Sequence, residues 1–578
     1  MANPYTASRP PTGSFSVWQR IFRGYGPLAI LAAFVLVVAL LVPSKPQTAV
    51  NAGAGGYDSN AYGPSTTVGT GGGQGAAASG GSAGTPGSAG SQGPAGGTVT
   101  GGGGQAPGQL PARTTSCPGG QVTNDPYSPP CITFSGTNGG ATTKGVTGSD
   151  ITVAFRVLSE KGFQQTLAQL AGASLTDTPD TVTKTVNALA DYFNTHFQFY
   201  GRKIKIKTYN GTGSLVSELV GVGQEQANSD ATNVADQIGA FADISAGSEP
   251  YADALASRHV MAFGDPYLSA PWHIQRRPYA WSLATDCSQL SEEVGNYGVA
   301  RLQGTADYAG GTDSGGKPLK GQPRRIAGLA PDNSWYQECI STVVNKGKAG
   351  GLNIVDTPEY KLSLPALSNQ AASIIPKLRS EGVTTIVCGC DPIMPVFLSG
   401  EANREGYYPE FINIGVALDD TDVVGQLWNS NFAAHSFGIS SLTDDPSAQV
   451  SSSVPSSSIA YKAFKTVRPQ DEPAFSVQLI YAQMYMLAAG IQMAGPNLTP
   501  ASFEQGMFHY PSHLGPFGLW QFGPGHYTPA ADVREIYWSP STISPANGKR
   551  GAWVDPKPGV RYPGGMVPKG PPPFAPPP

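Results

Sequence analysis

Between about Gly53 and Gly108 nearly every residue is Gly, Ala, Ser, Thr, Gln or Pro. A segment so poor in apolar side chains cannot bury enough surface to offset the entropy of ordering its backbone. It therefore divides the chain. An uncharged apolar run from Tyr25 to Val42 stands before it, and an ordinary mixed sequence follows it. A packed fold must form on the C-terminal side. As a flexible coil, the tract has a reach that grows as about 5–6 Å times the square root of its length.

Arg9, Arg20 and Arg23 precede the apolar run, and only Lys45 follows it closely. This bias places the N-terminus in the cytoplasm and the bulk of the chain outside. The run has about the minimum length for a spanning helix. A signal peptide usually has a shorter apolar region, although Val50-Asn51-Ala52 offers a cleavage site. An uncleaved anchor and a cleaved signal both fit. The anchor reading makes this a single-pass protein of the cell membrane. Gly80-Gly81-Ser82-Ala83-Gly84 matches the hydrolase nucleophile elbow by letter, but no strand precedes it and no helix follows.

The chain has 578 residues, which predicts more than one domain or lobe beyond the tract. Net charge is −4, and the body carries no strong basic block. Nucleic acid is therefore not an expected partner, because phosphate recognition needs a positive face. The six cysteines suit an oxidising compartment. Cys117 and Cys131 flank a Pro- and Gly-rich loop, and a bridge between them would close a strap. Cys287, Cys339, Cys388 and Cys390 lie in the body, where spacing leaves their pairing open. Cys388-Gly-Cys390 lacks the further ligands of a zinc site.

The body alternates strands and helices. Ile151–Val157 reads as a buried strand, Thr181–Phe197 as a helix, and Arg202–Tyr209, with KIKIKTY, as a strand with one wet face. The pattern recurs through Arg325–Ala330, Ser334–Val344, Leu352–Asp356, Ala366–Glu381, Thr384–Cys388, Asp391–Glu405 and Glu410–Ile414. Such alternation predicts an α/β architecture of parallel sheets with helices on both faces. Ligands then meet the loops at the carboxyl ends of the strands. Those loops are Leu158–Ser159, Ala246–Glu249, Gly264–Ser269, Pro331–Tyr336 and Gly389–Pro392.

Taken in order, GSDITVAFRVLSEKG, ADYFNTHFQFYGRKIKIKTYNGTGS, ADQIGAFADISAGSEPYADALASRHVMAFGDPYLS, RRIAGLAPDNSWYQECI and FSVQLIYAQMYMLAAGIQMAGPNLTPASFEQGM resemble the type I periplasmic solute-binding proteins of the branched-chain amino acid (Leu/Ile/Val) ABC-transporter class. The resemblance runs from about Gly148 to Pro540. It implies two Rossmann-like lobes joined by a three-crossing hinge, with crossings near Pro278–Asp286, Ile414–Asp419 and Gly515–Gly523. The expected organisation is an arm (1–24), an apolar helix (25–43), a linker (44–115) and a disulfide-strapped segment (116–147). Lobe 1 is expected to hold 148–285 and 415–519, lobe 2 to hold 286–414 and 520–545, and a Pro-rich extended tail to close the chain at 546–578.

The same resemblance nominates site residues. Gly247 and Ser248 match the family loop that holds a ligand carboxylate, and Tyr267 and Ser269 match the neighbouring loop. Trp335 and Tyr336 fall near an aromatic that covers the ligand. Asp391 lies where the family places an acid to meet an ammonium group. Each has a structural alternative: Ser248 and Asp391 as helix caps, Trp335 as lobe core. Two departures point away from a simple amino-acid ligand. The first loop reads Ser159-Glu-Lys-Gly162 instead of a small Ser-Gly pair, with an insertion-like stretch at Phe163–Pro179, and Asp391 follows an unusual Cys388-Gly-Cys390.

Other motifs carry less. Gly311–Lys317 nearly spells a phosphate loop, but Pro318 replaces the magnesium-binding hydroxyl and a strand follows instead of preceding it. His509 and His513 are separated by Pro511, which breaks the helix that a metal pair would need. No paired carboxylates or Ser/His/Asp set has supporting context. The expectation is a tethered extracytoplasmic binding protein that captures an amino acid or related small metabolite for an ABC permease. It is expected to use no cofactor or metal and to perform no catalysis. A ligand sensor of the same fold and a tethered surface hydrolase are the alternatives.

Overall fold

A computed structural model describes residues 117, 120–122, 124–158, 177–219, 221–264, 268–415, 418–443, 456, 458–530 and 532–577. The arm, the apolar run, the Gly-rich tract, the Ser159–Gly162 loop and Tyr267 lie outside the described residues. No helix among the described residues is long and apolar enough to cross a membrane.

Lobe 1 is built on β1 (Asp150–Val157), β2 (Lys203–Asn210), β3 (Ala242–Asp243), β4 (Met261–Phe263) and β5 (Ala280–Trp281), in the parallel order β2-β1-β3-β4-β5. Nearly all of β1 is buried, while the lysines of β2 point to solvent, as an edge strand requires. Helix α1 (Pro179–His196) starts at a capping box in which Thr178 and Thr181 exchange bonds, with Pro179 at the first helical position. Its buried face carries Val186, Leu189 and Phe193. Next come α2 (Leu215–Leu219), α3 (Gln224–Thr232), α4 (Glu249–Ala256) and α5 (Ala270–Gln275).

Lobe 2 opens with α6 (Cys287–Arg301), whose first turn is capped by Asp286 through the N–H of Gln289 at 2.9 Å. Elements β6 (Ile326–Pro331), α7 (Ser334–Ala349), β7 (Ile354–Asp356), α8 (Leu364–Ser380), β8 (Thr385–Cys388), α9 (Met394–Glu405), β9 (Glu410–Asn413) and β10 (Ser436–Ser440) follow. The chain then returns to lobe 1 for α10 (Ile459–Val467), α11 (Val477–Ala494) and α12 (Pro500–Phe508). It ends in lobe 2 with β11 (Asp532–Ile543), β12 (Arg550–Val554) and β13 (Tyr562–Pro563). The second sheet runs β12-β11-β10-β9-β8-β6-β7, with β13 beside β11. It is parallel from β7 to β10 and antiparallel beyond.

This topology corrects two of the three expected crossings. At the first, β5 ends at Trp281 in the lobe 1 sheet and α6 starts at Cys287. The second does not lie at Ile414–Asp419: β10 pairs with β9 in the lobe 2 sheet, so 415–440 belongs to lobe 2 and the chain leaves it after Ser440. The third lies beyond Gly515–Gly523, because Trp520, Phe522 and Tyr527 are in the lobe 1 core and β11 starts at Asp532. Short strands pair by non-local hydrogen bonds, and neither break is marked by composition.

Both flanks of the body are docked. Cys117 and Cys131 form a disulfide, and Tyr127 just before Cys131 stacks on Trp520 at 4.1 Å and donates its hydroxyl to Gly518 O at 2.9 Å. The strap is thereby part of the lobe 1 core. The Pro-rich tail is also held, contrary to an extended free end. Phe574 stacks on Tyr537 at 4.5 Å, and Tyr308 donates to the carbonyls of Pro572 and Phe574 at 3.0 and 2.6 Å. Proline carbonyls keep full acceptor strength, so a Pro-rich segment can be fixed by donors from the body.

Candidate functional site at the two strand-order reversals

In each sheet the strand order reverses once beside the first strand of the lobe. In lobe 1 β2 lies on one side of β1 and β3 on the other; in lobe 2 β7 and β8 flank β6 in the same way. In open α/β sheets the loops leaving such flanking strands diverge, and ligands bind at the carboxyl ends of the strands there.

At the lobe 1 reversal, Arg156 near the end of β1 is only 1% exposed. Its guanidinium gives two bonds to Glu218 of α2, Nη1 to Oε1 at 2.9 Å and Nη2 to Oε2 at 2.8 Å, and Nη1 also reaches Asp230 Oδ2 at 3.3 Å. The guanidinium lies 3.6 Å from the centre of the Tyr251 ring. Asp230 takes the N–H groups of Thr212 and Gly213 and the Thr212 hydroxyl, at 2.9 to 3.0 Å. Tyr251 donates to Asp243 Oδ2 at 2.8 Å, and the Ser245 N–H donates to its Oδ1 at 2.7 Å. Burial pushes the Arg156 guanidinium toward neutrality, but the bond to Glu218, with the charge of Glu218 and the nearby Tyr251 and Tyr209, more than offsets it and holds the pKa above the ordinary value. Burial raises the Asp243 carboxyl, against the bonds from Ser245 and Tyr251.

Ser248 sits at the head of α4 and is fully buried. Its hydroxyl caps no helix N–H; it donates to Glu218 Oε2. Gly247 lies one residue before it, near Leu215 of α2. Ser269 accepts the Trp272 N–H at 3.3 Å and caps α5.

At the lobe 2 reversal, Cys388 and Cys390 form a disulfide across Gly389 at the end of β8. Asp391 follows it and is almost fully buried. Its Oδ1 accepts the N–H groups of Ile393 and Met394 at 2.9 and 3.3 Å, and its Oδ2 accepts the Tyr360 hydroxyl at 2.6 Å. Asp391 therefore caps the start of α9. Burial raises its pKa against those three donors. Asp419 is pushed well above the carboxylate range by burial and by the nearby Asp391 and Asp420. Trp335 and Tyr336 occupy the first turn of α7 and are half-buried. Tyr336 packs against the lobe 2 core. A second disulfide, Cys287–Cys339, ties the start of α6 to α7.

The two reversals meet. Gly221, just after α2, has φ +82°, and a Cβ placed there would lie 3.2 Å from both Asn333 Nδ2 and Trp335 Cη2. A lobe 1 loop thus touches the lobe 2 aromatic, and a side chain at that point would crowd the contact. The structure places Trp335 opposite α2, Ser248 beneath Glu218, and Ser269 at a helix cap.

Arg156, Glu218 and Asp230 were not among the residues nominated from sequence. Their signal was present in β1, where ITVAFRV sets one charge in an apolar run. A buried guanidinium must find carboxylates somewhere in the chain.

Among the described residues no cluster of three or more His, Cys, Asp or Glu could hold a metal ion. Cavities also lie away from the crevices. One of about 30 Å³ sits under the strap beside Tyr127 and Tyr485, room for about one water. Another of about 370 Å³ opens on lobe 1 between Ile274, Arg277, Phe508 and Tyr527.

A family profile described as "Periplasmic binding protein" matches residues 167–538, well over half of the chain. The chain belongs to the periplasmic binding protein family. No curated protein matches this periplasmic binding protein in sequence. Solved structures similar to it include the Leucine-, isoleucine-, valine-, threonine-, and alanine-binding protein from Brucella ovis in a closed conformation, with 14% identity and a TM-score of 0.49, covering 72% of this chain and 96% of that one. A solute binding protein of an ABC transporter from Rhodopseudomonas palustris BisB5, in complex with 3,4-dihydroxybenzoic acid, has 13% identity and a TM-score of 0.46, covering 70% and 97%. The substrate binding protein LivJ from Streptococcus pneumoniae, in complex with isoleucine, has 13% identity and a TM-score of 0.46, covering 71% and 100%.

Proposed function

We propose that this periplasmic binding protein captures a small molecule between its two lobes and presents it to an ABC importer. The observation that carries the reading is the meeting of two strand-order reversals, with the loop at Gly221 set against Trp335. A ligand held between the lobes would favour their closed arrangement, and a permease that reads that arrangement would couple capture to transport. Family membership supports the same reading. Trp335 and Tyr336 are the proposed covering aromatics, Asp391 the proposed acid, and Gly247, Tyr267 and Ser269 the proposed lobe 1 rim, with Ser248 behind it as a support for Glu218.

The apolar run at 25–43 is proposed as a membrane anchor and the Gly-rich tract as a leash. A leash of that kind raises the effective concentration of the body near a permease. The test is a thermal-shift screen of the full chain against amino acids, amides, short acids and aromatic metabolites. A ligand-dependent rise in melting temperature without turnover supports capture; steady product release would sink it. Membrane fractionation, with N-terminal sequencing of the mature chain, tests the anchor.

A further inference from the structure

We infer that lobe 1 fills its own anion seat with the carboxylate of Glu218, and that the cargo of this cleft carries no carboxylate at its lobe 1 end. The inference rests on the solute-binding reading and names the class of solute. The seat has the parts that would bind an external carboxylate: the Arg156 guanidinium, the Ser248 hydroxyl and the start of α4, all at the lobe 1 strand-order reversal. Each side chain is already engaged by Glu218. Both oxygens of Glu218 face Arg156, one of them also takes Ser248, and the Glu218 side chain is wholly buried.

An added carboxylate would find no free cation there. Arg156 is one positive charge against Glu218 and Asp230, and the Asp243 carboxyl also acts on it. A third negative group beside such a set is repelled at short range and through low-dielectric surroundings. Three of the guanidinium N–H groups already meet carboxylates, and Nε is buried with no acceptor among the described residues. A lone N–H donor whose charge is already balanced suits the carbonyl of an amide or the oxygen of an alcohol, and the excess of carboxylates around it favours an ammonium group. The cargo class is therefore a neutral or cationic polar molecule: an amide, an alcohol or an amine.

Two measurements on the full chain test this. The first is calorimetry of the wild type with matched sets in which one scaffold is offered as acid, amide and amine, starting with leucine, leucinamide and isoamylamine, then 4-hydroxybenzoate and its amide. Any scaffold that binds is expected to do so at least tenfold more tightly without the carboxylate. Equal or tighter binding of the acid would overturn the inference while leaving solute capture intact; no binding by any member would count against both. The second needs no cargo. Glu218→Ala empties the seat, and sodium acetate is expected to raise the melting temperature of that variant by several degrees relative to sodium chloride at equal ionic strength. Wild type and Glu218→Gln, whose seats stay filled, should not respond. Acetate acting alike on all three proteins, or on none, would overturn the inference. If Glu218→Ala does not fold even in acetate, the wild-type acid-to-amide ratio decides.

Discussion

Arg156 holds Glu218 through two parallel bonds of 2.9 and 2.8 Å, from a strand to a short helix 62 residues further on. Neither side chain is more than 1% exposed. A buried pair of this kind gains little over an apolar pair, but losing one partner leaves the other charge uncompensated. Arg156→Leu strands Glu218, and Asp230 loses its cation. The expected cost is about 3–5 kcal/mol of stability, read as a fall in the denaturant midpoint. Arg156→Leu combined with Glu218→Leu should recover much of that loss. A double variant as unstable as the single one would show that the pair is not the source.

Ser248 and Trp335 should separate stability from affinity. The Ser248 hydroxyl supports Glu218, so Ser248→Ala removes a bond to a charged group and should cost about 1.5–3 kcal/mol. Its effect on ligand affinity should be small. Trp335 is half-buried and faces the lobe 1 loop at Gly221. Trp335→Ala should weaken any ligand about tenfold, near 1.4 kcal/mol, with little change in melting temperature. Calorimetry and thermal unfolding of both variants check this; the reverse pattern would move the ligand contact to Ser248.

How much of this was legible in the sequence depends on how local the cause is. The β1 and α1 segments announce themselves through an apolar run and through the helical spacing of Val186, Leu189 and Phe193. Partners across the chain do not. The five residues of β10 lie beyond the strand pattern recognised in the sequence, and only their pairing with β9 and β11 assigns them to lobe 2. The tail reads as free polyproline because its anchors are Tyr308 and Tyr537, more than 200 and more than 30 residues away in the chain. Ser248 was found by its place in a loop. Its partner Glu218 was missed because a glutamate in a short helix looks like a solvated charge until Arg156 is seen beneath it.

The disulfides should differ in what they contribute. Cys287–Cys339 closes a loop of sequence separation 52, which by chain entropy restrains the unfolded state by about 4 kcal/mol. Cys388–Cys390, with separation 2, closes almost no loop. Cys339→Ser should therefore lower stability clearly, with some loss from freeing α7 relative to α6. The double replacement Cys388→Ser and Cys390→Ser should cost far less by this mechanism and act instead on the shape of the β8 end. Unfolding midpoints of the two variants, measured under the same oxidising conditions, give the comparison. Equal losses would mean that packing around the sulfurs outweighs loop closure.

Glu293 on α6 sets the alkaline limb of stability. Burial raises its pKa from 4.5 to about 8, against a bond from Gln289 and with Asp532 and Asp286 adding to the rise. The folded protein therefore keeps the proton where the unfolded chain has lost it. Between pH 4.5 and about 8 the native state binds more protons, so stability falls as pH rises through that window. The slope for one such group is about 1.4 kcal/mol per pH unit. His273 acts on the other side: burial lowers its pKa from 6.5 to about 4, so stability falls as pH drops across that interval. Glu293→Gln removes the first dependence and leaves the second. The variant should gain on the wild type steadily from pH 5 to pH 8 in melting temperature, and the gain should level off above pH 8. A constant difference between the two proteins over that range would show that Glu293 is ionised in the folded state.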